Sequence, residues 1–186
     1  MSIQLSTHRF TVHDFHRMAQ AGIFSEDDRV ELLDGEIIEM TPIGSRHAAC
    51  VARLTKILSH RLGETAIVWV QNPIRLDDRT EPQPDIAILR SRADFYKDAH
   101  PGPEDVLLLI EVADASAVVD RRVKLPLYAK AAIGEVWIVD LSEGVIQVYR
   151  QPSLQGYQTS IQARGVEQLT PEALPHLTIS ASDILI

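Results

Sequence analysis

Three polar residues around two apolar segments are the candidates for chemistry in this sequence. Glu111 lies within residues 106–112, an otherwise apolar run that predicts a central strand buried on both faces. An unpartnered carboxylate there would cost several kcal/mol, so Glu111 should be neutralised, paired or bound to a metal. Asp85 opens a second apolar strand over residues 85–89, and Lys124 follows on a predicted helix.

This set of two acids and one base indicates a specific kind of reaction. Two carboxylates from neighbouring strands can hold a hard divalent cation, which prefers oxygen ligands. A nearby ammonium can orient a water molecule or offset the negative charge that develops on a phosphate. Asp85, Glu111 and Lys124 therefore indicate phosphodiester hydrolysis. The residues alone leave a second interpretation open, a buried Glu111–Lys124 salt bridge with Asp85 capping a turn.

Length and composition are typical of a globular chain with one core. The 186 residues are 45% hydrophobic, and we expect a single domain over residues 1–186. No apolar run could span a bilayer, no signal-peptide pattern opens the chain, and Cys50 is the single cysteine. These features predict a cytoplasmic protein without a membrane partner. The net charge of −8 disfavours non-specific coating of nucleic acid but not a carboxylate metal site, since a bound cation offsets its charge.

Local signals predict the elements that must position the three residues. A capping pattern at residues 11–14 predicts a short helix to about residue 20. The Asp-Gly pair at 34–35, between two alternating segments, predicts a β-hairpin. Ser45 is the predicted cap of a long helix that ends near Gly63.

Further strands complete the predicted fold. They are expected at 67–70, 74–76, 135–140 and 145–149, with edge strands and turns near 157–161 and 177–186. This order of elements predicts an α/β fold in which a mixed sheet is flanked by helices, after an N-terminal helix and a β-hairpin.

Four other side chains have two interpretations each. Glu31, on the first arm of the hairpin, is either a cross-strand or solvent-facing charge or a third acid near the metal. His47, in the first turn of the long helix, is by spacing alone more typical of a structural histidine. His13 and His16 lie three residues apart on the first helix, and without a further ligand in the sequence we interpret both as surface residues rather than metal ligands.

Six segments in combination resemble a known family. They are ELLDGEI at 31–37, SRH at 45–47, PQPD at 82–85, IEV at 110–112, DRRVKLPLY at 120–128 and EVWIVD at 135–140. They resemble the Uma-two family of endonucleases, within the restriction-endonuclease-like PD-(D/E)XK superfamily.

The resemblance implies a restriction-endonuclease-like fold and hydrolysis of DNA with Mg²⁺, for which Mn²⁺ could substitute. It implies that Asp85 and Glu111 are the metal ligands. The superfamily signature has a lysine two residues after the acid, where this chain has Ala113, and the resemblance implies that Lys124 on the next helix takes its role. It also favours Glu31 and His47 as neighbours of the site.

Helical spacing adds Tyr128, which lies one turn after Lys124 and should point the same way. Two functions follow from these observations. The first is a Mg²⁺-dependent DNA endonuclease, favoured by the presence of both acids and the lysine. The second is a non-catalytic DNA- or protein-binding module that keeps the fold, favoured by the acidic net charge, and a homodimer is compatible with it.

Overall fold

The computed structural model describes residues 7–25, 27–114 and 120–185. Its strands are β1 (Val30–Leu33), β2 (Glu36–Glu39), β3 (Ala66–Val70), β4 (Ile86–Arg90), β5 (Val106–Ala113), β6 (Glu135–Asp140), β7 (Val145–Ser153), β8 (Gly156–Ala163), β9 (Gln168–Leu169) and β10 (Ile179–Ser180). Its α-helices are α1 (Val12–Gln20), α2 (Ser45–Leu62), α3 (Leu125–Lys130) and α4 (Ala181–Ile184). A 3₁₀ turn spans Pro103–Asp105, and a π-helical turn spans Asp120–Lys124.

A mixed sheet of six strands forms the centre of the molecule. Strands β3 to β8 lie side by side in chain order. Neighbours are antiparallel except β5 and β6, which are parallel and therefore need a crossover connection, which contains the π-helical turn and α3. The mixed α/β sheet predicted from the sequence is confirmed. The single-domain interpretation stays a prediction.

The capping residues predicted for α1 are confirmed. The backbone N–H of Asp14 donates to Thr11 Oγ1 (3.1 Å), and the backbone N–H of Thr11 donates to Asp14 Oδ2 (3.1 Å). Hydrogen bonds from the Thr11 side chain and backbone hold the pKa of Asp14 below its usual value. This reciprocal pair satisfies backbone donors that the first helical turn leaves without partners.

The predicted hairpin is also confirmed, because β1 and β2 pair around Asp34 and Gly35. Both turn residues have positive φ angles, 47° and 78°, as a tight hairpin turn requires. A Cβ atom on Gly35 would come within 2.8 Å of Arg9 Cβ, so only glycine fits against the segment that precedes α1.

Two local predictions were wrong. Gly44, not Ser45, is the N-cap of α2, and no side chain caps this helix; Ser45 is its first helical residue. Residues 74–76 belong to no strand; the backbone N–H groups of Ile74 and Leu76 donate to the carbonyls of Pro82 and Thr80 in the loop that leads to β4. Near residues 177–186, where edge strands and turns were predicted, the chain forms the short strand β10 and then the short helix α4.

The two faces of the sheet are both covered, as the apolar sequence of β5 requires. One face packs against α2, whose buried residues are Cys50, Val51, Leu54, Leu58 and Leu62. The opposite face packs against α3 and Tyr96. Because side chains alternate along a strand, Ile110 and Val112 face α2 whereas Leu109 and Glu111 face α3.

Helix α3 starts directly after Lys124. Lys124 ends the π-helical turn, and α3 begins at Leu125, which places Pro126 in the first turn, where the missing N–H has no helical partner to lose. Within the described ranges, none of the helices combines the length and apolarity needed to cross a membrane.

The reactivity of Cys50 tests whether α2 packs against the sheet as described. Its thiol is fully buried, and Sγ donates to the Ile184 carbonyl (3.7 Å). Burial, with a smaller contribution from the Asp85 carboxylate, raises the pKa of Cys50 to about 11. Because the thiolate is the reactive form, we expect native protein at neutral pH to be inert to an aromatic disulfide reagent. The reaction should appear only in denaturant; equal rates with and without denaturant would contradict this packing.

Candidate active site

Asp85 lies at the entrance of β4 and is fixed from two neighbouring strands. Its Oδ2 accepts a hydrogen bond from the backbone N–H of Val112 in β5 (2.8 Å). Its Oδ1 accepts from the side-chain amide of Gln71, the residue after β3 (3.2 Å). The backbone N–H of Gln71 also donates to the Asp85 carbonyl (3.0 Å). The carboxylate is therefore held in one orientation at the end of three adjacent strands.

Glu111 is buried on β5, next to Asp85. Its Oε2 accepts from the backbone N–H of Asp85 (3.2 Å), and its Oε1 accepts from the Tyr128 hydroxyl (2.6 Å). Tyr128 is a buried residue of α3. The predicted meeting of both acids and of Tyr128 is thus found in the structure, and the crossover helix supplies the hydroxyl.

Lys124 lies between two buried acids. Its Nζ is 3.2 Å from Glu31 Oε2 and 3.5 Å from Glu111 Oε1. Glu31 Oε2 also accepts from the backbone N–H of Gln83 (3.0 Å). The interpretation of Glu31 as a solvent-facing charge is wrong, because its side chain is 4% exposed and ion-paired.

His47 approaches Asp85 from the first turn of α2. Its Nε2 is 2.9 Å from Asp85 Oδ2. An ionised carboxylate can only accept hydrogen bonds, so this contact requires a proton on Nε2. All six predicted site residues therefore lie close together: Glu31, His47, Asp85, Glu111, Lys124 and Tyr128. They come from the hairpin, α2, the ends of β4 and β5, the π-helical turn and α3.

Five of the six, all except Tyr128, line a cleft of about 290 Å³. Its acidic residues are Glu31, Glu39, Asp85, Glu111 and Asp114, and its permanently charged basic residues are Arg29 and Lys124. With five carboxylates against two cations, the cleft is strongly negative unless a further cation enters. A phosphodiester would be repelled from it without such a cation.

The donor set of Asp85 and Glu111 fits a magnesium ion. The described part of the chain offers no group of three His, Cys, Asp or Glu ligand atoms at this position within 4.8 Å of one another. Mg²⁺ is nevertheless commonly bound through one or two carboxylates, with water and substrate phosphate completing its octahedron. The carboxylates of Asp85 and Glu111 are therefore enough protein ligands for a Mg²⁺ ion, whose other ligands would be water and phosphate.

Comparisons with known proteins show the family of this chain. The chain matches the model of the Uma-two family, described as "Putative restriction endonuclease", over residues 12–182. The chain belongs to this family. Family membership supports a nuclease-like function. A search of curated proteins gives no match to the chain.

A crystal structure shares the fold. It is that of a putative nuclease of the DUF820 family from Anabaena variabilis, with a TM-score of 0.71 and 16% sequence identity. The alignment covers 94% of this chain and 97% of the other. At this identity the similarity establishes the fold, and the roles of individual residues in the Uma-two chain rest on its own geometry.

Sequence reasoning missed two residues that support the site. Gln71 and Gln83 orient Asp85 and Glu31, the first through its side chain and the second through its backbone N–H. Val70 pairs with Ile86 across β3 and β4, so the next residue out, Gln71, lies opposite Asp85. Predicting the pairing register of β3 and β4 would have identified Gln71.

The burial of Lys124 changes what its removal should do. A lysine that served only catalysis in a water-filled site could be replaced at little cost in stability. The Lys124 side chain is instead 6% exposed and lies between two buried carboxylates, so the Glu111–Lys124 salt bridge that the sequence left open is present. We therefore expect Lys124→Met to lower the free energy of unfolding by about 3 to 5 kcal/mol, because it leaves both acids uncompensated.

Denaturant unfolding measures this effect, with Lys130→Met as the matched control. Lys130 is the exposed lysine at the end of α3, and its substitution should change stability little. Equal stability of the two variants would show that Lys124 does not hold the acids together.

Proposed function

We propose that this chain is an endonuclease that hydrolyses DNA phosphodiester bonds with a divalent cation. The observation that carries the proposal is the meeting of Asp85 and Glu111 at the ends of adjacent strands in one cleft, with Lys124 beside them. Family membership supports the same reaction class. Formation of a homodimer and a cytoplasmic location stay predictions.

Asp85 and Glu111 would hold the cation, which we propose to be Mg²⁺, with Mn²⁺ as a substitute. When bound, such an ion supplies Lewis-acid stabilisation of the charge that develops on the phosphate during in-line attack by water. The products are a phosphate monoester end and a free sugar hydroxyl, since water adds at phosphorus as the bond to the leaving oxygen breaks.

The residues around the two acids have separate roles in this proposal. Tyr128 and the backbone N–H of Asp85 fix both oxygens of Glu111, so the carboxylate cannot rotate away from the cleft. His47 holds Asp85 from the other side. Lys124 contributes a fixed positive charge at the inner wall, where it can offset charge on a bound phosphate as well as on the acids.

A metal-independent binding module is the less favoured function. Binding of DNA without chemistry draws on clustered lysine and arginine residues, whereas this cleft has more acids than bases. The excess of carboxylates has a direct explanation if a divalent cation is part of the site. The same excess would oppose a polyanion that entered without one.

The first test removes the negative charge of each ligand without changing its size. In Asp85→Asn and Glu111→Gln we expect cleavage of supercoiled plasmid with Mg²⁺ or Mn²⁺ to fall by at least about a hundredfold, because each substitution removes an electrostatic stabiliser of the transition state. Mn²⁺ affinity, measured by calorimetry, should fall in the same variants. Unfolding curves establish that each variant is folded.

Glu64→Gln is the matched control for these variants. Glu64 is an exposed acid in the turn after α2, at the end of that helix opposite His47. Its substitution should leave cleavage unchanged. Unchanged Mn²⁺ affinity in both ligand variants would exclude Asp85 and Glu111 as the metal site.

A second test addresses the neighbours of the two acids. We expect His47→Ala to slow plasmid cleavage, because Asp85 loses the contact from α2 that orients it. Glu31→Gln should also slow cleavage, because it removes the second acid that positions Lys124.

His60→Ala, on the exposed side of the same helix α2, is the control for His47 and should cleave at the wild-type rate. If His47→Ala and Glu31→Gln both cleaved plasmid as fast as His60→Ala, the two residues would be structural only.

A further inference from the structure

A second group of potential ligands lies outside the cleft. His16 on α1, Glu81 before β4 and His100 in the loop after β4 place one ligand atom each within 4.8 Å of one another. None of the three lines the cleft. Both His13 and His16 were predicted to be surface residues: His13 is exposed, and the His16 side chain is 44% exposed, but its Nε2 also lies 2.6 Å from Glu81 Oε1.

Glu81 is the buried member of this group. Its side chain is 3% exposed, and Oε2 has no hydrogen-bond partner among the residues that the structure describes. A buried carboxylate oxygen without a partner is costly, so its presence calls for an explanation. The His16–Glu81 contact uses only Oε1 and leaves Oε2 without a partner among the described residues, while the His100 ring meets the His16 ring edge to face with centroids 6.1 Å apart.

The group lies on the opposite face of β1 from the proposed active site. Glu81 pairs with Leu32 across an antiparallel bridge, so the two side chains share a face. Leu32 packs against Val12 and Phe15 of α1 on that face. Glu31, the preceding residue on β1, must point the other way, and it contacts Lys124.

The backbone holds the three ligands in place. The N–H of Val12 donates to the Asp78 carbonyl (2.8 Å), which anchors α1 to the turn before Glu81. The N–H of Arg75 donates to the Pro101 carbonyl (2.9 Å), which anchors the residue after His100 to the same turn. Three separate segments are thus fixed around one point without a ligand being required to assemble them.

We propose that His16, Glu81 and His100 bind a transition-metal divalent cation of the zinc class. Two imidazole nitrogens and one carboxylate oxygen are a common zinc donor set, and a water molecule or another donor can complete the tetrahedron. The metal would bond to the carboxylate that is otherwise incompletely satisfied. It would join α1 and the loop of His100 to the segment that leads into Asp85.

Cobalt titration of the full-length protein tests the site directly. Co²⁺ in a tetrahedral nitrogen and oxygen site absorbs strongly in visible light, whereas octahedral Co²⁺ bound by carboxylates and water absorbs weakly, so the signal separates this site from Asp85 and Glu111. We expect wild type to show the tetrahedral spectrum and Zn²⁺ to displace it. His100→Ala should weaken Co²⁺ binding by at least about a hundredfold, since losing even a residue that only orients a ligand costs up to that factor.

His13→Ala is the matched control, because His13 is an exposed histidine on the same helix as His16 and is outside the group. It should bind Co²⁺ as wild type does. Glu81→Gln should lose binding too, and if it does not fold, the exposed His100 still decides the result. Zn²⁺ should raise the melting temperature of wild type and of His13→Ala by more than that of His100→Ala, in which Asp85 and Glu111 are the remaining cation site.

Absence of the tetrahedral spectrum in wild type would overturn the proposal, and so would wild-type affinity in His100→Ala. The readouts are metal binding and melting temperature. They do not depend on plasmid cleavage, and failure of the proposed nuclease activity would leave them unchanged.

Discussion

The ion pairs of Lys124 with Glu31 and Glu111 are the constraint on which the arrangement of the site depends. Two buried carboxylates repel one another, and a fixed cation between them offsets this repulsion and the cost of their burial. Lys124 supplies that cation from the end of the π-helical turn, within 3.5 Å of both. The hairpin that carries Glu31, the strand that carries Glu111 and the crossover that carries Lys124 must therefore pack in one arrangement.

Hydrogen bonds from several elements orient the two proposed metal ligands, Asp85 and Glu111. Hydrogen bonds from Tyr128 and from the backbone of Asp85 hold Glu111 near the end of β5, and hydrogen bonds from Gln71 and Val112 hold Asp85 at the start of β4. Since each carboxylate is held by groups from different elements, neither can relax independently. Such preorganisation is what electrostatic catalysis requires, because the dipoles need not reorient when charge develops.

Much of the fold and the main acids were predictable because their signals are local. An Asp-Gly turn, an acid within an apolar strand, and a base on the next helix can be recognised from a few residues. The supporting contacts depend instead on pairing between distant segments. Gln71 reaches Asp85 only through the β3–β4 register, and Glu31 is buried only because the hairpin packs on the crossover. The N-cap at Gly44 was missed because the next residue, Ser45, is of a type that is preferred at helix N-caps.

His16 shows how far sequence spacing can mislead about ligands. Its nearest candidate partner along the chain is His13, yet the side chains that meet it are Glu81 and His100, more than sixty residues away. Strand β1 separates this group from the cleft, with Glu31 on one face and Leu32, the bridge partner of Glu81, on the other. A displacement of Glu81 would therefore act on β1 through the Leu32 bridge and on Asp85 through the three residues between them. The cleft and the group of His16, Glu81 and His100 are linked through the backbone hydrogen bonds between Leu32 and Glu81, although they share no side chain.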